Sequence, residues 1–220
     1  MARAVPPGLA REAALASAGY RAIAGVDEAG RGAWAGPLVA AAVILPDLGA
    51  TDEAALLARL RGVRDSKLLD AARRAALLTS IEAVARAIGV GWVPAAELDR
   101  IGLGAANRLA WARAVAALTP APDYLLLDAF RLPASPLPQT PIVRGDRDCL
   151  SIAAASIVAK VTRDRALVAL DRDSPAYGFG RHKGYGTAIH HAALREHGPC
   201  AEHRRSFAPL RALAATPARR

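Results

Sequence analysis

At residues 23–32 the chain reads Ile-Ala-Gly-Val-Asp-Glu-Ala-Gly-Arg-Gly, and residues 38–45 continue as Leu-Val-Ala-Ala-Ala-Val-Ile-Leu. Two short apolar runs separated by glycines and Pro37 predict neighbouring strands joined by a hairpin or a bulged connection. The first run stops at Asp27 and Glu28. The stretch therefore predicts a buried sheet with an acid pair at the end of one of its strands.

Two more apolar runs lead into an acidic residue in the same way. Residues 124–127 are followed by Asp128, and a strand at residues 141–143 is predicted to end near Asp146. Because hydrophobic strands lie in the middle of a sheet, the carboxylates that follow them should gather along one edge, where they repel one another unless a cation neutralises them. Hard divalent cations such as Mg²⁺ and Mn²⁺ take oxygen ligands of this kind. A single strand-end aspartate is usually a turn residue or a helix cap, but three such positions favour a metal site.

The charge of the chain indicates the class of partner. Its 29 Lys and Arg residues against 20 Asp and Glu residues give a formal net charge of +9 and an isoelectric point near 10.5. A basic surface attracts phosphate backbones without regard to their sequence. In an acidic pocket, two divalent ions about 4 Å apart activate a water and stabilise the leaving oxygen of a phosphodiester. A basic protein with an acidic pocket therefore fits a nuclease.

The glycines after the first strand also allow a second interpretation. Gly30, Gly32 and Gly36 loosely resemble a dinucleotide-binding fingerprint. Their spacing is GxGxxxG rather than GxGxxG, two acids precede them, and a strand-like run follows where the fingerprint needs a helix. These differences disfavour a Rossmann-type dehydrogenase.

Hydrophobic periodicity places helices between the predicted strands. We expect helices at Ala10–Ser17, at Leu68–Ala87 with Ser66 as its N-cap, within Ala95–Leu118 with a break near Gly102 and Gly104, and at Leu150–Leu170, and a further strand at Val90–Val93. Strands mixed with helices indicate an α/β fold. We expect an N-terminal extension at residues 1–20, a catalytic core at 21–170, and a helical and loop region at 171–220 that completes the substrate groove.

Cysteine usage and the length of the apolar runs bear on the compartment. Cys149 and Cys200 lie 51 positions apart, without the CxxC spacing of a zinc site. They are able in principle to form a disulfide, but free thiols in a reducing cytosol are the favoured interpretation. The longest apolar run, at residues 38–45, is less than half of a membrane span. We therefore expect a soluble, cytoplasmic protein that does not bind a membrane.

A set of short motifs, spread over about residues 20–210, points to a specific family. They are Gly-Val-Asp-Glu-Ala-Gly-Arg-Gly at 25–32, Asp-Ser-Lys-Leu at 65–68, Leu-Leu-Asp at 126–128, Ser-Ile-Ala-Ala-Ala-Ser-Ile-Val-Ala-Lys at 151–160, His-Lys-Gly-Tyr-Gly at 182–186 and His-Arg-Arg-Ser-Phe at 203–207. In content and order they resemble bacterial ribonuclease HII, a type 2 ribonuclease H. The resemblance implies a ribonuclease H-like fold: a mixed five-stranded sheet flanked by helices, followed by a small helical C-terminal region.

The resemblance also implies an activity and a catalytic set. The metal-binding and catalytic carboxylates of the family correspond to Asp27, Glu28, Asp128 and Asp146, which are the acids that follow the predicted strands. The implied enzyme uses Mg²⁺ or Mn²⁺, two ions with substrate bound, for in-line phosphodiester hydrolysis. Its substrates are the RNA strand of RNA–DNA hybrids and single ribonucleotides in duplex DNA, cut on the 5′ side to leave 3′-hydroxyl and 5′-phosphate ends. The protein would act as a monomer.

The turn formed by Gly30, Arg31 and Gly32 is the candidate reader of ribose. Glycines let the backbone approach a ligand closely, and Arg31 can hydrogen-bond the 2′-hydroxyl and the adjacent phosphate. The 2′-hydroxyl is the group that separates RNA from DNA. The alternative is that the glycines only form a structural turn beside the metals.

Four further residues are candidate substrate contacts by the same resemblance. Tyr185 corresponds to a family tyrosine that packs against the sugar at an RNA–DNA junction. Lys67 and Lys183 are candidate phosphate contacts, or else solvated surface lysines. Ser66 either caps the following helix, contacts a phosphate, or does both.

Three other acids, Asp65, Asp148 and Asp164, are left out of the predicted site. Asp164 stands between two arginines in a predicted helix, which is typical of a salt-bridge partner. Residues 101–107 depart from the pattern of the family, so no role is assigned to Asn107. A module that binds such duplexes without cutting them is the other alternative, and the intact set of four carboxylates argues against it because a pure binder of phosphates would not keep that negative charge.

Overall fold

The computed structural model describes residues 6–215; residues 1–5 and 216–220, the outer ends of the predicted N-terminal extension and C-terminal region, lie outside the described residues. The strands are β1 (Ile23–Ala29), β2 (Leu38–Ile44), β3 (Ala87–Val93), β4 (Tyr124–Asp128) and β5 (Gln139–Ile142). They form one sheet in the order β3-β2-β1-β4-β5. The strands β3, β2 and β1 are antiparallel neighbours, whereas β4 and β5 continue parallel to β1. The predicted mixed five-stranded sheet is thus confirmed.

The helices follow the predicted alternation. They are α1 (Ala10–Ser17), α2 (Glu53–Arg59), α3 (Ala71–Glu82), α4 (Ala95–Ile101), α5 (Leu103–Ala116), α6 (Gly145–Asp148), α7 (Leu150–Asp173), α8 (Phe179–His182), α9 (Ala188–His197) and α10 (Ala208–Ala215). Single 3₁₀ turns lie at Ser66–Leu68 and Pro175–Tyr177. The break between α4 and α5 falls at Gly102, as predicted.

Two helices cover the two faces of the sheet. The N-terminal half of α7 is buried on one face, together with side chains of α3. The other face is covered by α5, whose Trp111 is fully buried. The contact between α7 and β1 is so close that a Cβ on Gly25 would lie 2.2 Å from the carbonyl carbon of Ser151. Since α7 lies against the strand that carries Asp27 and Glu28, this packing fixes the position of the acid pair.

The C-terminal helices pack on the far end of α7. Leu167 of α7 shares a small apolar cluster with Tyr177, Phe179, Leu194 and Leu210. Cys149 and Cys200 are both free cysteines. None of the helices in residues 6–215 is long and apolar enough to cross a membrane.

Two strand ends differ from their predicted positions. β1 does not stop before Asp27 but continues to Ala29, because its backbone stays paired with β2 as far as Ala29 opposite Val39. Backbone pairing does not depend on the polarity of the side chain, so the acids extend the strand instead of ending it. Asp146 does not follow a strand directly; β5 ends at Ile142, and Asp146 lies in the short helix α6.

The predicted helix at Leu68–Ala87 is shorter in the structure, and its cap is a different residue. Asp70, not Ser66, is the N-cap of α3, and its carboxylate accepts a hydrogen bond from the backbone N–H of Arg73. The carboxylate of Asp65 likewise caps the 3₁₀ turn that contains Ser66. Helix α2, capped by Asp52, was not predicted.

Candidate active site

The predicted carboxylates come together at one edge of the sheet. Asp27 and Glu28 lie near the end of β1, and Asp128 is the last residue of the adjacent parallel strand β4. Because side chains alternate along a strand, Asp27 faces Ser156 of α7 while Glu28 faces α5. Asp146 joins the group from α6. β1, β4 and α6 together therefore bring the four carboxylates to one edge of the sheet.

Glu28 is held in place by helix α5. The indole N–H of Trp111 donates to Glu28 Oε2 at 2.9 Å, and Asn107 Nδ2 donates to the same oxygen at 3.3 Å. On the other side, Arg31 Nη1 lies 3.9 Å from Glu28 Oε1. One oxygen of Glu28 is therefore hydrogen-bonded within the protein, and the other lies beside the Arg31 guanidinium.

The two aspartates on the strands are oriented by backbone donors. The N–H of Glu28 donates to Asp27 Oδ1 at 2.7 Å. The N–H of Gly145 donates to Asp128 Oδ1 at 2.8 Å. Such bonds favour the ionised form of a carboxylate and restrict its rotation.

Burial and mutual repulsion raise the pKa of every acid in the group. Burial is the largest cause for Asp27, followed by the charges of Glu28 and Asp128. The pKa values of Glu28 and Asp128 are also raised, in both cases chiefly by burial. Burial and the neighbouring Asp65 and Asp128 raise the pKa of Asp146 to about 6. Four acids that disfavour one another's charge in this way need a positive partner.

Lys67 is the nearest ammonium group to these acids. Its Nζ lies 3.8 Å from Asp146 Oδ2, and 76% of its side chain is exposed. Partial burial acts to lower the pKa of Lys67, but the surrounding carboxylates, Asp27 foremost, outweigh it and raise that pKa. Lys67 and Arg31 supply two positive charges against four carboxylates, so the site has a deficit of positive charge.

The donor set fits a hard divalent cation. All four side chains supply oxygen, which is what Mg²⁺ and Mn²⁺ prefer. Among residues 6–215 no group of three His, Cys, Asp or Glu side chains is already drawn together around a single metal position. The fit therefore rests on the donor chemistry and the charge deficit.

A cleft of about 370 Å³ opens over the acids. It is lined by predicted site residues together with Ala29 and Lys160; the predicted ones are Asp27, Glu28, Gly30, Arg31, Gly32, Ser66, Lys67, Asp128 and Tyr185. Nine of the eleven predicted site residues thus share one cavity. Asp146 does not line this cavity, but it lies 3.8 Å from the ammonium of Lys67, which does. Lys183 lines a different cavity.

The turn after β1 is built around two buried arginines. Gly30 has a φ of +91°, and a Cβ there would lie 1.9 Å from Arg163 Nε. Arg204 Nη1 donates to the carbonyl oxygens of Gly30 and Arg31, at 2.6 and 3.2 Å. A Cβ on Gly32, in contrast, would meet nothing within 4 Å. Gly30 is required by packing, while Gly32 leaves the backbone open to the cleft.

Tyr185 and Lys183 are two residues apart but face different cavities. The Tyr185 ring is 36% exposed and lies 5.5 Å from Lys160 Nζ, on the wall of the cleft. The ammonium of Lys183 instead bonds to the carbonyl of Gly180 and lines a neighbouring groove between α3 and α7. The structure therefore separates Lys183 from the other candidate contacts.

Ser66 is buried beneath the cleft wall. Its hydroxyl accepts a hydrogen bond from Ser156 of α7 at 2.9 Å. The backbone carbonyl of Ser66 accepts one from Arg74 at 3.0 Å. These bonds tie the segment that carries Lys67 to α7.

Sequence reasoning missed three residues that shape the site. Asn107 and Trp111 are spaced four positions apart, so on a helix they share one face, and that spacing of a polar and an aromatic residue was the available signal. Lys160 closes a motif quoted above and was given no role, although it lines the cleft.

The acids left out of the site have other partners or are exposed. Asp164 Oδ1 accepts from Lys160 Nζ at 2.7 Å, and Asp164 Oδ2 lies 3.5 Å from Arg74 Nη2, which confirms the predicted salt bridge. Asp65 is buried and lies 3.7 Å from Arg147, and it also neighbours Asp146, whose pKa it raises. Asp148 is exposed at the end of α6.

Comparison with known proteins gives the family of the chain. The family model described as ribonuclease HII matches residues 24–210. A protein named ribonuclease HII from Roseiflexus castenholzii is 52% identical over 213 residues, which are 96% of this chain and 92% of that protein. One from Geobacillus kaustophilus is 54% identical over 200 residues, 91% of this chain and 73% of that protein.

Solved structures show the same fold. The ribonuclease H2 of Pyrococcus horikoshii superposes with a TM-score of 0.69 at 26% identity, over 87% of this chain and 96% of that one. A ribonuclease HIII in complex with Mn²⁺ superposes with a TM-score of 0.63 at 24% identity, over 92% of this chain and 72% of that one. With the family model covering most of the chain, the protein belongs to the ribonuclease HII family of metal-dependent endoribonucleases, which cut the RNA strand of RNA–DNA hybrids.

Proposed function

We propose that this member of the ribonuclease HII family also cuts duplex DNA on the 5′ side of a single embedded ribonucleotide, and so acts in ribonucleotide excision repair. The observation that supports this is the cleft itself, because three carboxylates and the Gly30–Gly32 turn line the same cavity. A group that reads one ribose and a group that cuts one phosphodiester would then act on adjacent atoms of the substrate.

Asp27, Glu28, Asp128 and Asp146 are the proposed ligands of two Mg²⁺ or Mn²⁺ ions and the catalytic carboxylates. When bound, such a pair of ions supplies activation of a water and neutralisation of charge on the departing 3′-oxygen. The protein contributes orientation: Trp111 and Asn107 fix one oxygen of Glu28, and the N–H of Gly145 fixes one oxygen of Asp128. The products would carry 3′-hydroxyl and 5′-phosphate ends.

The turn after β1 is the proposed reader of the 2′-hydroxyl. Arg204 and Arg163 are buried beneath this turn, where Arg204 donates to the carbonyl of Gly30 and Arg163 packs against Gly30. Gly32 leaves room for the backbone to approach a ribose. Arg31, with 43% of its side chain exposed, can donate to the 2′-hydroxyl or to the next phosphate.

The remaining wall of the cleft would hold the strand that is cut. Tyr185 would pack against the sugar at the junction, and Lys67 would contact a phosphate. We add Lys160 as a second phosphate contact, because its ammonium lies beside the Tyr185 ring on the cleft wall. The buried Ser66 would support Lys67, and Lys183 would contact the duplex from the neighbouring groove.

We further propose that the protein works as a monomer in the cytoplasm. Residues 21–170 would form the catalytic core, and residues 171–220 would complete the substrate groove. The position of Tyr185 and Arg204 on the C-terminal side of this division, with both reaching the cleft or its turn, supports that arrangement.

The test is cleavage of a labelled duplex that carries one ribonucleotide, with Mg²⁺, with Mn²⁺ and with a chelator. We expect one cut 5′ to the ribonucleotide, a 3′-hydroxyl on the upstream product, and no cut with the chelator or on an all-DNA duplex. Tyr185→Ala should lower single-ribonucleotide cutting while leaving the dependence on metal concentration unchanged. Cleavage of long hybrids alone would refute the repair function, and binding without any cleavage would favour a non-cutting binder.

A further inference from the structure

Phe130 is an exposed aromatic residue that the activity described so far does not use. It follows Asp128 by two positions, and 47% of it is exposed. The backbone around it forms a tight turn in which Ala129 has a φ of +66°. The N–H of Ala129 donates to Ile142 O at 2.8 Å, and the N–H of Phe130 donates to Asp128 O at 2.8 Å. The turn places a large apolar ring in solvent directly beside a proposed metal ligand.

The ring has one specific neighbour, the guanidinium of Arg31. The Arg31 Cζ lies 4.8 Å from the centroid of the Phe130 ring, within the range of a cation–π contact. Arg31 Nη1 lies 3.9 Å from Glu28 Oε1. The guanidinium therefore lies between a carboxylate and an aromatic face.

An aromatic face suits an arginine that has to recognise a ligand. A guanidinium carries five N–H donors in its plane, and a carboxylate partner occupies some of them. A ring that stacks on the guanidinium attracts its charge without occupying any donor. Phe130 can therefore restrict the motion of Arg31 while leaving N–H groups for the substrate.

We propose that Phe130 is a positioning residue for ribonucleotide recognition: its ring holds the Arg31 guanidinium at the edge of the cleft in the orientation that reads the substrate. The proposal rests on the proposed role of Arg31. It also links the two functions of the site, because the turn that follows Asp128 carries Phe130, the anchor of the residue that reads the sugar.

The first experiment compares side chains at position 130 by steady-state kinetics on the single-ribonucleotide duplex. Phe130→Ala and Phe130→Leu should lower kcat/KM about three- to fivefold, mainly through KM, since an exposed cation–π contact is weak. Phe130→Trp should keep the wild-type kcat/KM because tryptophan keeps an aromatic ring, whereas leucine keeps only the apolar volume. Leu57→Ala, an exposed apolar residue on α2, is the matched control and should change nothing.

The second experiment introduces Phe130→Ala into an Arg31→Ala protein. If the ring acts through Arg31, the second substitution should cause no further loss, and the two effects should not add. Melting temperatures of all variants should match the wild type, since the ring is exposed.

The outcomes distinguish the positioning role of Phe130 from the recognition role of Arg31. Unchanged kinetics in Arg31→Ala would refute the proposed role of Arg31 itself. A loss in Arg31→Ala with none in Phe130→Ala would overturn only the anchoring. Wild-type kinetics in Phe130→Leu, or equal losses from Phe130→Ala in both backgrounds, would also overturn it.

Discussion

At the scale of single residues, the four carboxylates were predictable because each follows an apolar run in the chain. The residues that orient them were not, since Trp111 and Asn107 belong to a helix that the sequence does not connect to β1. Their partner is Glu28, 79 to 83 positions away. Such long-range hydrogen bonds depend on how α5 crosses the sheet, which apolar periodicity does not specify.

Removing the Trp111 hydrogen bond should weaken catalysis while keeping the core packed. Trp111→Phe deletes the donor to Glu28 Oε2 and retains an aromatic ring. A hydrogen bond to a charged group contributes about 1.5–3 kcal/mol, so we expect kcat to fall by roughly ten- to a hundredfold. Trp92→Phe, at a partly exposed position on β3, is the control. An unchanged kcat in Trp111→Phe would show that the bond does not orient Glu28.

Asp146→Asn should make the metal-free protein more stable and inactive. The pKa of Asp146 is raised to about 6 by burial and by Asp65 and Asp128, so the folded state binds its proton more tightly than the unfolded state does. The folded state is therefore destabilised as pH rises from about 3.8 to about 6, and the penalty persists at neutral pH. Removing the charge should raise the free energy of unfolding by about 1–2 kcal/mol.

The measurement is thermal unfolding with chelator at pH 7.5. We expect Asp146→Asn to melt a few degrees above the wild type, and added Mn²⁺ to stabilise the wild type more than the variant. A variant that melts below the wild type in chelator would contradict a cluster dominated by repulsion.

At the scale of secondary-structure elements, the order of helices and strands followed from the sequence better than their ends did. β1 continues through two acids because β2 pairs with it, and Asp146 lies in α6 because the chain turns at Arg144, which has a φ of +59°. In the sequence, acidic residues predict the ends of both strands, but the end of a strand depends on where its backbone stops pairing with the neighbouring strand. The edge of the sheet at which the acids gather was still located correctly, since β1 and β4 are adjacent and parallel.

The loop with Tyr185 is attached by a pair of buried histidines whose protonation follows from their partners. His190 Nδ1 faces the carbonyl of Tyr185 at 3.0 Å, so this nitrogen must donate, and His190 Nε2 must accept from His203 Nε2 at 3.0 Å. His203 Nδ1 then accepts from the backbone N–H of Cys200 at 3.0 Å. Both imidazoles are neutral, and a proton on either one breaks this chain of bonds.

We therefore expect the protein to lose stability in acid through these two histidines. Burial lowers the pKa of His190 and of His203 from 6.5 to about 4. The unfolded chain binds protons that the folded chain does not, so stability falls as pH decreases from about 6.5 to about 4. Because the raised pKa of Asp146 has the opposite effect over this pH range, the test compares slopes from urea unfolding: His203→Gln should lose less stability in acid than the wild type, and the exposed His191→Gln should match the wild type. Equal slopes in all three proteins would contradict the assignment.

At the scale of the whole molecule, a basic protein surrounds an acidic cleft. The net charge of +9 favours binding of a polyanion, while the carboxylates keep a phosphodiester out of the cleft unless cations are present. Composition and motif order predicted this division of charge. The sequence did not indicate that Lys183 faces a separate groove, because two residues of a loop that turns at positive φ lie on different sides of it.

The central claim is that the clustered carboxylates Asp27, Glu28, Asp128 and Asp146 make the protein a metal-dependent nuclease. It is tested most directly by cleavage of a single-ribonucleotide duplex by two matched variants, Asp146→Asn and Asp148→Asn, over a range of Mn²⁺ concentrations. The two acids share α6, but one is buried beside Asp128 and the other is exposed. We expect Asp146→Asn to lose at least a hundredfold in kcat/KM, about 2.7 kcal/mol of transition-state stabilisation, and Asp148→Asn to match the wild type. Full activity in Asp146→Asn, or an equal loss in both variants, would contradict the account.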